Sequence, residues 1–554
     1  MSNDNWRTGT LFSLVPTLGP REKNKNEGGK PGYFSEGFLH VQKSIDYAFI
    51  KYLTNIDVDS IIDLNFKRYP YPPYQDDNFI VVVIAFLPFV TLISFIFTSI
   101  LTAKAIVHEK ETGMKEAMKL MGMKTWIYWL SWYIRSLLLL IPGIIMMTIS
   151  FKVKLDLNSG GKAAIINKTD AFIFILVLLL YASSTTTFTF LSTCFFKKAN
   201  AAAAGAGVLQ FLTYLPFVFF SIKYDKLGFA EKVASSFINN VCMGYGIQMI
   251  GMFEAKGVGV NFNNWTKGIT LQDTYSMGHV MLIMFFNNFI HLILMYYFEN
   301  VLPGDHGIAK PWYFPISFLL RRHRKKVFTD IELKSSNIKE LNDTFVEDES
   351  IYSSYKIGIK IENINKSFKQ LGVIKQAVKD LSLNIYEGQI SVLLGANGAG
   401  KSTTISMITG LCEPNQGNIT INNIDIVKNT KNARKYLGYC PQHNLLFDNL
   451  TVYEHLKFFS KLKENFNDKE IDQMLDIINL SDKKHALSKN LSGGMKRKLS
   501  VAIAFIGNSK IVILDEPSSG MDPQARHSTW SLLQKFKKEN NTTILLTTHF
   551  MDEV

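Results

Sequence analysis

The sequence predicts a multidomain membrane protein in which an α-helical transmembrane domain is followed by an α/β P-loop domain. Three observations carry this. Five apolar stretches, residues 79–103, 127–150, 171–193, 203–222 and 279–299, are long enough to cross a hydrocarbon layer as helices. Downstream, Gly395-Ala396-Asn397-Gly398-Ala399-Gly400-Lys401-Ser402 is a G-x-x-x-x-G-K-S loop, entered from the apolar run Ile390–Leu394 and followed by a helical pattern. Further on, Ile511–Leu514 reads as a buried strand with two carboxylates, Asp515 and Glu516, at its tip, and Leu491-Ser492-Gly493-Gly494-Met495 stands between loop and strand. The length, 554 residues, is too great for one domain, and 47% hydrophobic content with 41 Phe exceeds what a soluble core needs.

In chain order the expected parts are residues 1–78, a segment outside the membrane; 79–300, the transmembrane domain; 301–354, a cytosolic linker; and 355–554, the nucleotide-binding domain. ATP is cytosolic, so the P-loop domain lies in the cytosol and five crossings put residues 1–78 on the other side. The basic run Arg321–Lys326 after the last span agrees with the positive-inside bias and reads as a solvated juxtamembrane cluster. Residues 230–252 are a weaker apolar segment, broken by Asn239, Asn240, Gly244 and Gly246, and read as a core-facing or re-entrant helix. The first residues hold no apolar signal that would deliver 1–78 across a membrane, and the chain stops soon after His549, so a fragment at both ends is expected. Cys194, Cys242, Cys412 and Cys440 lack metal or redox spacing and read as inert thiols. Asn167-Lys168-Thr169 and Asn264-Trp265-Thr266 are glycosylation triplets in expected outside loops, although such triplets also arise by chance, as at Asn418.

The chemistry of the P-loop domain follows from its residues. Backbone N–H groups from Ala396 to Lys401 are expected to curl round phosphates, with glycines permitting close approach and the following helix N-terminus favouring negative charge. Gly395 to Lys401, with Ser402 and Thr403 opening the helix, form the expected ATP site. Lys401 supplies fixed positive charge, and the Ser402 hydroxyl and Asp515 carboxylate suit Mg²⁺, a hard cation. Glu516 is the candidate for polarising the attacking water. Thr542–Thr548 is a second apolar strand delivering His549 to its end, where a γ-phosphate sensor would stand. Gln442 ends a strand pattern starting near Arg434 and is placed to contact Mg²⁺ and the water. Phe368, ahead of the first strand, offers a face for adenine.

These motifs together resemble the ATP-binding-cassette transporter superfamily. Tyr69–Pro73, Val107–Gly122, Phe195–Asn200, Phe253–Gly259, Pro311–Pro315, Asn384–Ile390 and Tyr439–His443 resemble its subfamily A, over almost the whole chain, and most nearly the phospholipid-exporting branch of lamellar and lysosome-related organelles. The resemblance implies a type V exporter-like transmembrane domain and a RecA-like ATPase domain with a helical subdomain. It further implies that two cassettes close head to tail, so that Leu491-Ser492-Gly493-Gly494-Met495 covers ATP held by a partner cassette, with Asp522 in the adjoining turn. The implied partners are a membrane lipid and a second cassette with its membrane half; the implied setting is the plasma membrane or an endosomal or lysosome-related organelle. Ala396 and Phe368 depart from the usual His and Tyr of the subfamily.

Residues 105–125 place Val107, Met114, Met118 and Met121 on one face of a helix, with Lys115, Glu116 and Lys119 elsewhere. This reads either as a coupling helix receiving cassette motion near Gln442 or as a helix lying in the lipid interface. Arg135 inside the second span reads as a snorkelling side chain, and Ser183–Thr187 as bonded to their own or a neighbouring helix. Three functions stay open: an ATP-driven lipid exporter, a membrane ATPase that moves no substrate, and a truncated inactive product. Five membrane spans exclude a soluble cassette acting on nucleic acid.

Overall fold

The computed structural model describes residues 12–13, 19–20, 37–57, 78–156, 162–224, 227–269, 273–304, 309–315, 355–370, 373–396, 398–463, 466–518, 521 and 523–549. Tyr69–Pro73, Arg321–Lys326, most of the 301–354 segment, Asn397, Ser519, Gly520 and Asp522 lie outside the described residues. The chain divides into two compact units, Met1–Ala105 with Trp132–Tyr297, and Ile106–Ser131 with Phe298–Val554.

The helices up to residue 301 are α1 (Phe38–Thr54), α2 (Asn78–Glu111), α3 (Met114–Leu120), α4 (Thr125–Lys152), α5 (Ala171–Thr193), α6 (Ala199–Ile222), α7 (Phe229–Ser236), α8 (Asn239–Ala255) and α9 (Met277–Val301). Among the described residues five of them, α2, α4, α5, α6 and α9, are long and apolar enough to cross a membrane. Their outward faces carry large exposed apolar side chains such as Phe97, Leu138, Met146, Phe219 and Ile293, a surface that suits lipid. The protein is an integral, multi-pass membrane protein.

Residues 230–252 form no single helix but α7 and α8, and every residue of α8 from Asn239 to Glu254 is buried. Glycine makes that possible: a Cβ at Gly244 would sit 2.4 Å from the Phe217 ring, and one at Gly251 would sit 2.4 Å from Ile84. The polar start of α8 is satisfied inside the unit. Asn240 donates to the Gln210 carbonyl at 2.6 Å and to Thr213 at 2.7 Å, and accepts from the Tyr181 hydroxyl at 2.9 Å. Ser183 bonds Asn288 at 2.7 Å and Tyr133 at 2.6 Å, while Thr186 donates back to the Ala182 carbonyl at 2.8 Å. Arg135 lies 4.6 Å from the centre of the Trp132 ring.

At its far end α8 grips the loop between α4 and α5. Glu254, only 7% exposed, accepts the backbone N–H groups of Asn167 at 3.2 Å, Lys168 at 3.0 Å, and Thr169. The Val260 N–H donates to the Thr169 hydroxyl at 3.1 Å, and the Asp170 N–H to the Val260 carbonyl at 2.8 Å. Asp170 then caps α5 by accepting from the Phe172 N–H at 2.8 Å. In the two glycosylation triplets the asparagines differ: Asn167 is exposed, whereas Asn264 donates to the Gly259 carbonyl at 2.7 Å.

Among the described residues the second unit contains two sheets. Its strands are β1 (Ile357–Gln370), β2 (Val373–Tyr386), β3 (Ile390–Leu394), β4 (Gln416–Ile421), β5 (Ile424–Asp425), β6 (Leu437–Cys440), β7 (Ile511–Asp515) and β8 (Thr543–Thr548). Its helices are α10 (Lys401–Ile408), α11 (Thr430–Arg434), α12 (Val452–Leu462), α13 (Asp468–Ile477), α14 (Gly493–Phe505) and α15 (Pro523–Asn540). One sheet is antiparallel in the order β2-β1-β4-β5; the other is parallel in the order β6-β7-β8-β3. The parallel strands β7 and β8 are buried at every position, as two-sided covering requires. Isoleucines of both sheets, among them Ile359, Ile361, Ile419, Ile421 and Ile513, close one core with Ile405 and Ile408 of α10.

Three local readings change. Phe368 lies inside β1, paired with Lys375 of β2, and not ahead of the first strand, because the antiparallel pairing of β1 with β2 continues to Gln370. The segment before Gln442 begins as helix α11, which ends at Arg434, so the strand starts only at Leu437. The 105–125 stretch is divided at Gly113, whose φ of 79° breaks the helix into the end of α2 and the separate α3. Val107, Met114, Met118 and Met121 are all buried, but so is Lys115.

Replacing Glu254 by Ala leaves backbone donors of residues 167–169 without their acceptor and is expected to destabilise the first unit by about 3 kcal/mol or more. A thermal midpoint equal to wild type in detergent, with no new proteolysis between α4 and α5, would refute the latch.

Candidate nucleotide-binding site

The parallel sheet brings the separated motifs to one edge. In register, Cys440 lies beside Leu514, Asp515 beside Thr547, and Thr548 beside Leu394. All four strands therefore end together, and Gln442, Glu516, His549 and the loop from Gly395 emerge from their carboxyl ends, where open α/β sheets hold ligands.

The loop is built for a phosphate. Gly398 and Gly400 have φ of 85° and 90°, open only to glycine without strain. At Gly400 a Cβ would also meet the Ala377 carbonyl at 2.5 Å, so the backbone must lie directly on β2. The turn delivers Lys401 to the first position of α10, with Ser402 and Thr403 in its first turn. Lys401, 9% exposed as a residue, donates through its amine to the carbonyl of Gly395 and, at 3.2 Å, to that of Ala396. Its amine is thus held inside the loop. Phe368 is exposed on the same sheet, two positions in register from Ala377, with the Lys366 amine 5.4 Å from its ring centre.

Three predicted residues meet one another. Glu516 accepts from the Gln442 amide at 2.9 Å and lies 3.4 Å from Nδ1 of His549. Its backbone is left-handed, with φ of 46°, a conformation that costs a non-glycine residue about 1 kcal/mol or more. The strain swings the carboxylate away from the strand axis and toward Gln442. Asp515 is held differently: it accepts from the Thr547 hydroxyl at 2.8 Å, which in turn accepts from the Glu516 N–H at 3.1 Å. Burial pushes the Asp515 carboxyl above the usual carboxylate range, the Glu516 charge adds to this, and the Thr547 hydrogen bond opposes it. A hydroxyl, a single buried carboxylate and an amide oxygen are donors that fit Mg²⁺, which takes one or two carboxylates and completes its shell with phosphate and water.

Sequence reasoning missed Arg497. Four residues past Gly493 on α14, it is buried and donates to the carbonyls of Asp515 at 2.8 Å, Glu516 at 2.7 Å, Pro517 at 2.9 Å, Pro441 at 2.6 Å and Gln442 at 3.0 Å. The sequence carried no signal for it, since Arg497 stands between Lys496 and Lys498 ahead of the apolar stretch that begins at Leu499; its burial is what marks it, an arginine being almost never buried unless fully partnered. His455 was missed too. Burial lowers its pKa, and the neutral ring accepts the Phe447 N–H at 2.9 Å, pinning the loop that follows Gln442.

Ser492 caps α14, its hydroxyl accepting the Met495 N–H at 3.3 Å. Leu491 is buried and anchors the turn, while Gly493 and Gly494 have no heavy atom within 4 Å of where a Cβ would stand. The open helix N-terminus presents backbone donors to whatever approaches it.

The ABC transporter family profile matches residues 378–519, and that of the ABC-2 family transporter proteins matches residues 31–298. The chain belongs to the ATP-binding-cassette transporters, subfamily A. It is 41% identical to the human phospholipid-transporting ATPase ABCA3 across 99% of its own length and 32% of that protein's. Rat ATP-binding cassette sub-family A member 17 is 35% identical over 99% of this chain and 31% of its own. The human retinal-specific phospholipid-transporting ATPase ABCA4 is 34% identical over 94% of this chain and 23% of its own. The chain therefore spans about a third of the length of the first two relatives. Among solved structures, a dimeric bacterial ABC transporter cassette aligns with 35% of this chain and 89% of its own at 27% identity, with a TM-score of 0.33.

Because folding raises the Asp515 pKa, its ionised form opposes folding, and stability is lost as pH rises through the folded pKa. Asp515→Asn is therefore expected to raise the nucleotide-free thermal midpoint at neutral pH, by less as pH falls toward the ordinary aspartate range. A lower midpoint at neutral pH would contradict this account.

Proposed function

We propose that this chain supplies one membrane half and one cassette of an ATP-driven transporter that moves lipids, phospholipid or sterol, across a membrane. The convergence of Gln442, Glu516 and His549 beside the Lys401 loop carries the reading. The names of ABCA3 and ABCA4 as phospholipid-transporting ATPases support the substrate class.

In this reading the backbone N–H groups of 396–401 and the α10 N-terminus hold the β- and γ-phosphates of ATP, Lys401 neutralises them, and Phe368 stacks on adenine. Ser402, Asp515 and Gln442 hold Mg²⁺, which when bound neutralises charge on the transferring phosphoryl group. Glu516 orients the attacking water and His549 contacts the γ-phosphate. Gln442, hydrogen-bonded to Glu516, reports whether the water position is filled. Leu491-Ser492-Gly493-Gly494-Met495 meets the ATP of a second cassette, with Asp522 in the turn beside it, so that hydrolysis requires the second half. Residues 1–78 belong to an exoplasmic domain, 301–354 to a cytosolic linker and 355–554 to the nucleotide-binding domain. The α3 segment is the coupling helix. The site of action is the plasma membrane or an endosomal or lysosome-related organelle.

The test uses the full natural protein carrying this chain, purified and reconstituted in phosphatidylcholine vesicles. ATP hydrolysis stimulated by lipid, together with leaflet transfer of a fluorescent phosphatidylcholine or sterol, is expected. Glu516→Gln should lower turnover by about a hundredfold or more while ATP remains bound. Hydrolysis without any leaflet transfer would instead identify a membrane ATPase that moves no lipid.

A further inference from the structure

The loop that leaves Gln442 is held at two places. Its first residues belong to Arg497, which donates to the carbonyls of Pro441 at 2.6 Å and Gln442 at 3.0 Å and reaches the Asn444 side chain at 3.4 Å. Further on, the Phe447 backbone is bonded in both directions. Its N–H donates to Nε2 of His455 at 2.9 Å, and its carbonyl accepts the Ser488 hydroxyl at 2.8 Å. The Phe447 ring stands edge-on to that of Phe458, with centres 5.7 Å apart. Beyond Phe447 the Leu450 carbonyl accepts the Ser488 N–H at 2.9 Å, and the Val452 N–H donates to the Ala486 carbonyl at 3.1 Å. The loop is therefore clipped to the segment that leads into Leu491 and Ser492.

His455 makes the bond to Phe447 in one state alone. It lies in the first turn of α12, where Nδ1 is 2.8 Å from the Thr451 carbonyl; a carbonyl only accepts, so Nδ1 carries the proton. Nε2 faces the Phe447 N–H, a donor, and is therefore the unprotonated nitrogen. The partners on the two sides fix a neutral ring in a single tautomer. A second proton would set N–H against N–H and leave the Phe447 donor without its acceptor. It would also put a positive charge at the start of a helix, where the dipole disfavours it.

The surroundings keep the ring neutral. His455 is fully buried, and burial lowers its pKa, while the Thr451 carbonyl and the Glu454 charge oppose that shift. Glu454 is engaged in the cap of α12, accepting from the Thr451 N–H at 2.8 Å and the Thr451 hydroxyl at 2.9 Å. Along the loop itself His443 and Asp448 are exposed. On the facing segment His485 is exposed and acts on Glu454, while Lys484 pairs with Asp472 of α13 at 2.6 Å. The other carboxylate at that end of α13, Asp468, accepts from the Tyr453 hydroxyl at 2.8 Å. Arg497 of α14 is taken up by its carbonyls.

We propose that His455, as the imidazole protonated on Nδ1 alone, is a positioning residue for ATP hydrolysis that fixes the loop 443–451 and with it the place of Gln442 beside Glu516. It rests on the reading of Gln442 and Glu516 as the groups around the attacking water. Each hold covers one half of the loop: Arg497 fixes the carbonyls at its start, and His455 with Ser488 fixes Phe447 beyond them. Protonation of His455 releases the second hold, so turnover falls on the acid side through a group outside the carboxylates of the site. Because folding depresses the His455 pKa, the contribution of the neutral ring is complete above the ordinary histidine range and is lost as pH falls through the folded value.

The test is the pH dependence of ATP hydrolysis by the full natural protein in phosphatidylcholine vesicles, between about pH 5 and pH 8. Wild-type turnover is expected to fall below the ordinary histidine range. His455→Gln, whose amide oxygen accepts the Phe447 N–H at any pH, should keep at least about half of the wild-type turnover at neutral pH and shift the acid fall to lower pH. His455→Leu offers no acceptor. It should lower kcat by about tenfold with KM for ATP within about twofold of wild type, and speed hydrogen exchange in residues 444–451. No acid fall in wild type, or one of unchanged midpoint in His455→Gln, overturns the proposal; that comparison decides alone if His455→Leu does not fold. Full turnover in Glu516→Gln would remove the reading of that carboxylate, while a shifted acid fall in His455→Gln would still support the role of His455.

Discussion

The buried guanidinium of Arg497 is the interaction on which the carboxyl edge of the parallel sheet depends. Two parallel strands, β6 and β7, end there, and their last carbonyls have no further strand to pair with. Arg497 collects those of Pro441, Gln442, Asp515, Glu516 and Pro517 with a single planar fork. A buried cation is tolerated because every one of its donors meets an oxygen, and buried carbonyls are tolerated for the same reason. Since Arg497 lies on α14, the helix that begins with Ser492-Gly493-Gly494 is bound rigidly to the turn carrying Glu516 and the turn carrying Gln442. What happens at the helix N-terminus cannot leave those turns unaffected.

With that anchor in place, the strain at Glu516 becomes intelligible. A left-handed glutamate persists only if its neighbours over-determine it, and here its carbonyl is held by Arg497, its N–H by Thr547 and its carboxylate by Gln442. Asp515, one residue earlier, stays in the strand and buried. Adjacent carboxylates thus acquire different surroundings, one enclosed beside a hydroxyl and the other turned out toward Gln442 and His549.

The membrane unit solves a different problem. A bundle whose outer face is apolar cannot rely on the hydrophobic effect to sort its helices, so close packing and buried hydrogen bonds do so. Gly244 and Gly251 let α6 and α2 approach α8, while Asn240, Ser183 and Asn288 supply bonds that hold specific helices together. Glu254 adds a carboxylate that fixes the loop entering α5, and that loop in turn supplies the Asp170 cap.

Hydrophobic length and glycine-bearing motifs are local properties, so the five apolar spans, the phosphate loop and the acidic strand tip could be read from the chain directly. The candidates Gln442, Glu516 and His549 were also legible, since each follows an apolar strand pattern at short distance. Their convergence on one carboxylate was not, because it depends on the order β6-β7-β8-β3, in which neighbours in space are far apart in sequence. Phe368 inside β1 and the burial of Lys115 were equally hidden. Each is decided by a partner more than five residues away, Lys375 for the first, Glu299 and Trp129 for the last. Arg497 marks the limit most clearly: periodicity places it on a helix, but only the folded chain brings five carbonyls within its reach, because satisfying buried polar groups is a property of the assembled core and not of any single segment.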